Sequence, residues 1–448
     1  MSGLAAIVLA AGKGTRMKSG LPKVLHSVAG KSMLLHVLDM LRAVDVARAV
    51  VVIPPDGAAI REAVGDRAET VVQAEQLGTA HAVLQASEML SDADQILVLC
   101  GDTPLVISDT VEALLRRHAE SAAAVTLLTA IPPDCTGLGR IVRDAEGHVV
   151  SIVEEKEATP EQRCIREINT GVYCYDGRVL WRLLPGIPLG PSGEAYLTDV
   201  IAAIRAEGGR VADVVASDPA EAIGINNRIQ LSVAEGVLRQ RVRERLMLEG
   251  ITLVDPPSTF IDADVQIGRD TVVHPGTTIS GVTRIGERCV IGPGSVIADS
   301  VLGNDCRVLM SVVESSTLDD KVSMGPFCHV RAEAHLAREV HLGNFAEIKK
   351  SEVGTGTRMH HFSYLGDAKL GERVNVGAGT ITCNYDGVHK WTTTIDDDVF
   401  IGSDTLLIAP VEVGRGAKTG AGSVVTRNVP PGSTVFGVPA RIKNEESR

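Results

Sequence analysis

Residues 267–298 read IGRDTVVHPGTTISGVTRIGERCVIGPGSVIA, and an aliphatic residue returns at every sixth position: Ile267, Val273, Ile279, Ile285, Ile291 and Ile297. A period of six is neither that of a helix nor that of a simple strand. It predicts a β-helix of hexapeptide repeats, in which each coil turns its corners on small residues and stacks its aliphatic side chain on the coil below. Glycine supplies corners at Ile267-Gly268, Ile285-Gly286 and Ile291-Gly292. The register returns at Leu342/Ile348, at Leu370/Val376 and at Ile401/Leu407/Val413/Thr419/Val425. It breaks between Ile381 and Val399, where Cys383-Asn384-Tyr385-Asp386-Gly387 opens a loop projecting from the coils. Inserted loops of this kind commonly carry the binding work of a solenoid.

Upstream of residue 225 the pattern changes. Short aliphatic runs at Ala5–Ala10, Ala49–Ile53, Ile96–Leu99 and Val125–Ala130 alternate with helical periodicity such as Met33, Leu34, Val37, Leu38 and Leu41. Strand–helix alternation predicts an α/β domain, Rossmann-like, around a mainly parallel sheet. Between the halves, Asn227 to Gly250 carries Ile229, Val233, Val237, Val242 and Leu246 among arginines and glutamates, the pattern of one long, partly exposed helix. At 1.5 Å per residue such a helix spans roughly 30 Å, Gly250 suits its C-cap, and Pro256-Pro257 prevents its continuation. The expected organisation is a first domain over 1–226, a linker helix over 227–250 and a β-helix over 251–448.

Composition narrows the function. With 44 Lys+Arg against 56 Asp+Glu the net charge is −12, so no global basic field supports nucleic-acid binding. Aromatics at 3% disfavour stacking platforms for bases. The run Leu4–Ala11 is far shorter than the ~20 residues of a membrane span, and no basic segment precedes it, so it reads as a buried first strand and not a signal peptide. The eight cysteines include no C-x-x-C pair and suit buried positions in a reducing cytoplasm.

Leu9-Ala10-Ala11-Gly12-Lys13-Gly14-Thr15-Arg16 follows that first strand, where a glycine-rich turn brings backbone N–H groups to an anionic ligand. It has neither the Walker A spacing nor the third glycine of a dinucleotide fingerprint. A bare glycine turn is as often structural, but Arg16 and Lys23 add fixed positive charge suited to a polyphosphate. Downstream, Leu97-Val98-Leu99-Cys100-Gly101-Asp102 ends a strand in a carboxylate, at the edge where open α/β sheets bind ligands. Alone, Gly-Asp is more often a turn; beside the glycine loop it becomes a candidate ligand for Mg²⁺ bridging phosphates. In the carboxyl half, Arg331 and Lys349 are either phosphate ligands or a solvated basic face. His361, Tyr364, Asn375 and the Asn384-Tyr385 loop cluster within a short span, although His360 shows how little a lone histidine proves.

Taken together these segments resemble the sugar-nucleotide pyrophosphorylases. The hexapeptide half narrows the resemblance to the bifunctional N-acetylglucosamine 1-phosphate uridylyltransferases/glucosamine 1-phosphate N-acetyltransferases, over nearly the whole chain. The resemblance implies that Leu9, Ala10, Ala11, Gly12, Arg16 and Lys23 bind UTP, and that Gln73, Gly78 and Thr79 in the Gln73–Ala80 segment surround the uracil. It places Cys100, Gly101 and Asp102 against the nucleotide, with Asp102 and Asn226 holding Mg²⁺, and puts Gly139, Glu154 and Asn169 on the sugar side. It implies that His361, in His361-Phe362-Ser363-Tyr364-Leu365-Gly366-Asp367, takes a proton from the substrate amine, a role that suits histidine near neutral pH, with Glu347 as its acidic partner. Arg331, Lys349, Tyr364 and Asn375 would bind the acetyltransferase's sugar phosphate, and Ala378, Asn384, Tyr385, Ser403 and Ala421 acetyl-CoA, with the loop amide near Tyr385 a candidate oxyanion donor. Family members pack a left-handed parallel β-helix as a trimer with acetyl-transfer sites between subunits, so a cytoplasmic homotrimer acting on small molecules is expected. Cys100 and Leu138 stand where the family often has tyrosine, and Gly437 precedes Val438-Pro439 where some members have arginine.

Two readings compete. One is the two-step enzyme: acetyl transfer to glucosamine 1-phosphate, then uridylyl transfer to give UDP-N-acetylglucosamine and pyrophosphate. The other is a sugar-1-phosphate nucleotidylyltransferase whose β-helix is a non-catalytic oligomerisation or regulatory module. The coincidence of Arg331, Lys349, His361, Tyr364, Asn375 and Asn384-Tyr385 favours the first, because a scaffold requires none of them.

Overall fold

Two units meet in sequence between Leu238 and Arg239 in the computed structural model, which describes residues 3–190 and 193–443. The outermost residues of the two predicted end domains, 1–2 and 444–448, lie outside the described residues.

The first unit is built on strands β1 (Leu4–Leu9), β2 (Arg48–Ile53), β3 (Glu69–Val72), β4 (Gln95–Cys100), β5 (Val125–Ala130), β6 (Arg140–Arg143), β7 (Val149–Val153), β8 (Ile168–Asp176) and β9 (Val211–Val215). The sheet order is β9-β5-β8-β4-β1-β2-β3, with β6 joining β8 to β7. The near-continuous apolar run of β1 is explained by its place: parallel neighbours flank it on both sides, β4 and β2, and helices cover both faces of the sheet. The sheet is mainly parallel with one reversal. Strand β8 runs antiparallel between β4 and β5, because the chain reaches it through the β6–β7 ribbon and not through a helical crossover. Leu9 and Cys100 stand in register at the carboxyl ends of β1 and β4, and the Gly101 N–H donates to the Leu9 carbonyl at 2.9 Å. The two loops that follow are thus held side by side.

The second unit stacks its strands into three parallel sheets, and each successive hexapeptide supplies a strand to a different one. Ile267 pairs with Ile285, Val273 with Ile291 and Ile279 with Ile297, so the six-residue period is the walk around one coil. After Ile297 the coils shorten at a corner: Ile285 is followed up the stack by Leu302, Ile291 by Val308 and Ile297 by Val313. The sequence period slips while the stacked column stays in line. Further up, Val376 pairs with Ile401, and the extra length between them is a hairpin at one corner, bridged at Tyr385 and Lys390. The inward aliphatics form one continuous core from Ile251 to Val435.

Helix Arg228–Leu248 follows the first unit's last loop. It ends where the Ile251 N–H donates to the Leu246 carbonyl at 3.1 Å, at the glycine the sequence marks. Ile229 and Val233 are exposed, whereas Val242 and Leu246 are buried in the core of the coils, so the apolar positions do not form one uniformly buried stripe. No helix among the described residues is long and apolar enough to cross a membrane.

Ile348 is fully buried between Val330 and Leu365 in the column. Ile348→Ala is expected to cost about 2–5 kcal/mol, because neighbouring coils cannot close the cavity without breaking register. A lower midpoint for the second unit in thermal unfolding checks this; an unchanged midpoint contradicts it.

Candidate functional sites

In the first unit the two loops after β1 and β4 open onto a cavity of about 490 Å³. Its wall includes Leu9 to Gly12, Lys23, Gln73, Gly78, Thr79, Cys100 and Asp102, so residues from four separate sequence segments converge there. Gly14 is left-handed (φ 59), and a Cβ on it would lie 2.7 Å from the Lys23 Cβ; the glycine is what lets Lys23 close against the turn. Gly78 has φ 100, and its Cα packs against Ala195, where a Cβ would meet the Ala195 carbonyl at 2.4 Å. The Ala195 N–H donates to Leu77 and the Ala80 N–H to Ala195, which locks this segment onto a neighbouring loop.

The charged groups interlock. Lys23 forms a close ion pair with Asp102 and donates to Asn226 Oδ1 at 3.1 Å, and Arg16 donates to the same oxygen at 2.8 Å. The Ile225 N–H donates to the Asp102 carbonyl at 3.0 Å, which fixes the late asparagine beside the carboxylate despite their separation in sequence. Fully buried Glu221 secures the same junction by accepting from the Ile107 N–H and the Thr110 hydroxyl. An Asp and an Asn oxygen thus converge on one ammonium, a donor set that suits a hard divalent cation completing its shell with phosphate oxygens. Burial, followed by the neighbouring Asp102 carboxylate, pushes the Cys100 thiol up to about 12. It is a neutral wall and not a nucleophile.

Next to Cys100, Gly139, Glu154 and Asn169 form a second cluster. The Asn169 N–H donates to the Gly139 carbonyl at 2.9 Å, Asn169 Nδ2 donates to the Tyr173 hydroxyl at 2.6 Å, and a Cβ on Gly139 would lie 3.3 Å from the Glu154 carboxylate. A Cβ on Gly171 would lie 3.3 Å from the Cys100 sulfur, which links this cluster to the cavity wall. Burial raises the Glu154 pKa above the usual carboxylate range, helped by Glu157 and Asp199. The motifs left Gln76 unassigned: its Nε2 donates to the Ala11 carbonyl at 2.6 Å and ties the glutamine segment to the glycine turn. Its place in the Gln73–Ala80 segment was the available signal.

In the second unit the ladder does the assembling. Strand pairing sets Glu347 between His329 and Tyr364, and Lys349 between Arg331 and Gly366. Arg331 donates to Glu347 Oε1 through Nε (3.1 Å) and Nη2 (2.7 Å), so the carboxylate's partner here is the arginine. Asn375 lies on the adjoining sheet, between Arg358 and Phe400. His361 is exposed at the corner just before Tyr364's strand, with its ring centroid 6.4 Å from that of His360. Ala378, Ser403 and Ala421 climb the same corner above it: Gly379 donates to Phe362, Asp404 to Ala378 and Gly422 to Ser403.

The hairpin begins at the next corner, past the strand Ile381–Cys383 that stacks on Tyr364's strand. Asp386 accepts from the N–H groups of Val388 and His389 and from the Trp391 indole at 2.7 Å, which shapes the loop around Asn384 and Tyr385. Lys390, which sequence reading missed, faces Lys349 closely enough to be the largest cause of that lysine's lowered pKa, with Arg331 adding to it. Three cations from separate segments therefore share one surface, as a phosphate subsite requires. Nothing local to Lys390 marked it, since only the hairpin's fold aims it there.

Residues 6–134 match the MobA-like NTP transferase domain, 264–299 the bacterial transferase hexapeptide (six repeats), and 392–427 the hexapeptide repeat of succinyl-transferase. The chain is 51% identical over 430 residues to the bifunctional protein GlmU of Heliobacterium modesticaldum, covering 96% of this chain and 94% of that one. It is 51% identical to the GlmU of Pelotomaculum thermopropionicum (91% and 90% covered) and 48% identical to that of Geobacillus thermodenitrificans (98% and 96% covered).

A raised Glu154 pKa gives a pH expectation. If its carboxylate holds sugar hydroxyls, KM for the sugar phosphate should rise as pH falls through the raised value, at higher pH than for an ordinary carboxylate. Glu154→Gln should remove that acid limb from the KM profile of pyrophosphate release. A limb unchanged in the variant removes Glu154 from the sugar side.

Proposed function

The chain belongs to the GlmU family of bifunctional proteins, and we propose which of its residues carry each reaction. It is an acetyltransferase and a uridylyltransferase in one polypeptide. The assignment places uridylyl transfer in residues 1–226 and acetyl transfer in 251–448, with 227–250 as the connecting helix. The observation that supports it most is the convergence of Lys23, Arg16, Asp102 and Asn226 from three distant segments onto one point at the strand ends.

For uridylyl transfer, the sugar phosphate oxygen is already ionised and attacks the α-phosphorus of UTP in line, so that the bond to pyrophosphate breaks. The chain's own work is to position the two phosphates and to offset charge. Arg16 and Lys23 meet the triphosphate, while the glycine turn holds it through backbone N–H groups. Gln73, Gly78 and Thr79 take the base, and Gly139, Glu154 and Asn169 take the sugar. Asp102 and Asn226 would hold Mg²⁺, which when bound offsets phosphate charge as a Lewis acid.

For acetyl transfer, His361 accepts a proton from the amine of glucosamine 1-phosphate as the nitrogen attacks the thioester carbonyl of acetyl-CoA and the CoA thiolate leaves. Glu347, whose partner in the structure is Arg331, would steady the positive charge that forms on the imidazole once the sugar phosphate takes Arg331. Arg331, Lys349 and Lys390 hold the sugar phosphate, Tyr364 and Asn375 the sugar, and the column Ala378, Ser403 and Ala421 with the Asn384-Tyr385 loop lines the coenzyme path. The product of this reaction is the acceptor for the other. UTP and acetyl-CoA are made in the cytoplasm, where we place both reactions.

The hexapeptide repeats point to oligomerisation, and the surface of the coils supports a homotrimer. Met310, Phe327, Phe345 and Phe362 form an exposed apolar column along the corner that carries His361, and the rings of Phe327 and Phe345 stack at 5.2 Å. The outward face of a different sheet carries Gln266, Arg284, Val301, Thr317, His335, Glu352 and Lys369, polar at every one of these positions but Val301. A second copy covering the apolar column would shield it from water and close over the acetyl-transfer site.

His361→Ala should abolish release of free CoA and leave pyrophosphate release from N-acetylglucosamine 1-phosphate and UTP near wild type, while Asp102→Ala should do the reverse. Equal loss of both activities in either variant would count against the assignment. Replacing Phe327 and Phe345 together by Asp should yield monomers in light scattering and lose acetyl transfer, with uridylyl transfer kept. A trimer that persists with full activity removes the column from the interface.

A further inference from the structure

Gln73 is only 3% exposed, yet it lines the nucleotide cavity. Its Nε2 lies 3.1 Å from the Gly78 carbonyl and 3.2 Å from Nδ1 of His81. A carbonyl only accepts, so Gly78 fixes which end of the amide faces it. With one N–H on Gly78, the other is directed at His81 Nδ1, which must then be the bare nitrogen of the ring. The ring proton is left on Nε2, where the Gln85 side chain stands at 3.1 Å. Gln85 also donates to the His81 carbonyl at 3.0 Å, and a neutral imidazole cannot accept from both glutamines. Gln85 is partly exposed, so water can replace its bond to the His81 carbonyl when it turns its oxygen to the ring, whereas Gln73 is buried and nothing replaces its bond to Gly78.

Both donors of Gln73 are therefore engaged inside the protein, and Oε1 is the group left for a ligand. Beside it, Gly78 lines the same cavity, and its N–H has no partner among the described residues. An acceptor next to a donor matches the edge of uracil, where N3–H is flanked by a carbonyl. Cytosine would set its bare N3 against Oε1, lone pair against lone pair. We propose that His81 is a positioning residue for base choice: by accepting from Gln73 it holds the amide with Oε1 toward the base, so that uracil is taken and cytosine refused. This rests on reading Gln73 and Gly78 as the base-contacting pair.

The test is steady-state uridylyl transfer by the full-length enzyme with UTP and with CTP. In His81→Leu the second Gln73 N–H loses its acceptor, and the Gly78 carbonyl alone is left to hold the amide. The UTP-over-CTP ratio of kcat/KM should fall by about tenfold or more, through a higher KM for UTP with kcat little changed, as expected when one buried donor is left unpaired. His81→Asn, whose Oδ1 can stand near the lost Nδ1, should restore most of the ratio. An unchanged circular dichroism spectrum and an unchanged thermal midpoint of the first unit report that the variants fold. A ratio unchanged in His81→Leu but collapsed in Gln73→Leu overturns the role of His81 and leaves the base reading standing. A ratio unchanged in both overturns that reading as well, and failure of His81→Asn to recover the ratio overturns the acceptor mechanism.

Discussion

Coil-on-coil stacking is the constraint on which the second half of the protein depends. Each parallel pair, such as Val273 with Ile291 or Val330 with Ile348, places an aliphatic side chain directly over its counterpart. Burial of these columns stabilises the unit through area removed from water, and the backbone ladder fixes their spacing. Because the ladder sets the register, it also decides which outward residues become neighbours. Arg331, Lys349 and Gly366 share one row, and His329, Glu347 and Tyr364 the next. A candidate catalytic surface is thus set by the register of the ladder.

The first half solves a different problem, which is to hold like charges close together. Arg16 and Lys23 are kept near each other because both are bonded to Asn226, and Lys23 also pairs with Asp102. The carboxylate and the amide oxygen offset the repulsion that two cations would otherwise exert. These contacts lie at the ends of β1 and β4, where the Gly101 N–H bond to Leu9 prevents the two loops from separating. Preorganisation of this kind lowers the cost of gathering charge around a polyphosphate.

The fold was legible to the extent that it is periodic or local. The six-residue period named the solenoid, and the residues it picked out, from Val273 to Val425, are buried in the core. The glycine turn, the Gln73–Ala80 segment and the Gly-Asp strand end were visible because each is contiguous. Less visible were the features made by pairing. The antiparallel insertion of β8 depends on how the chain returns through a ribbon, and the period's slip after Ile297 depends on a corner that loses a residue without disturbing the stack. Lys390 and His81 carry no motif, and only the side chains they face single them out.

By itself, then, the sequence determined the repeat, the order of the domains and the residue types available at each loop, because hydrophobic period and turn chemistry act over short distances along the chain. Only the tertiary structure decided that Glu347 answers Arg331, that Arg16 and Lys23 share the Asn226 oxygen and that Gln73 is held by Gly78 and His81. Those pairings join residues through space, where hydrogen-bond direction and charge decide the partner. No spacing along the chain encodes which of several donors reaches an acceptor first.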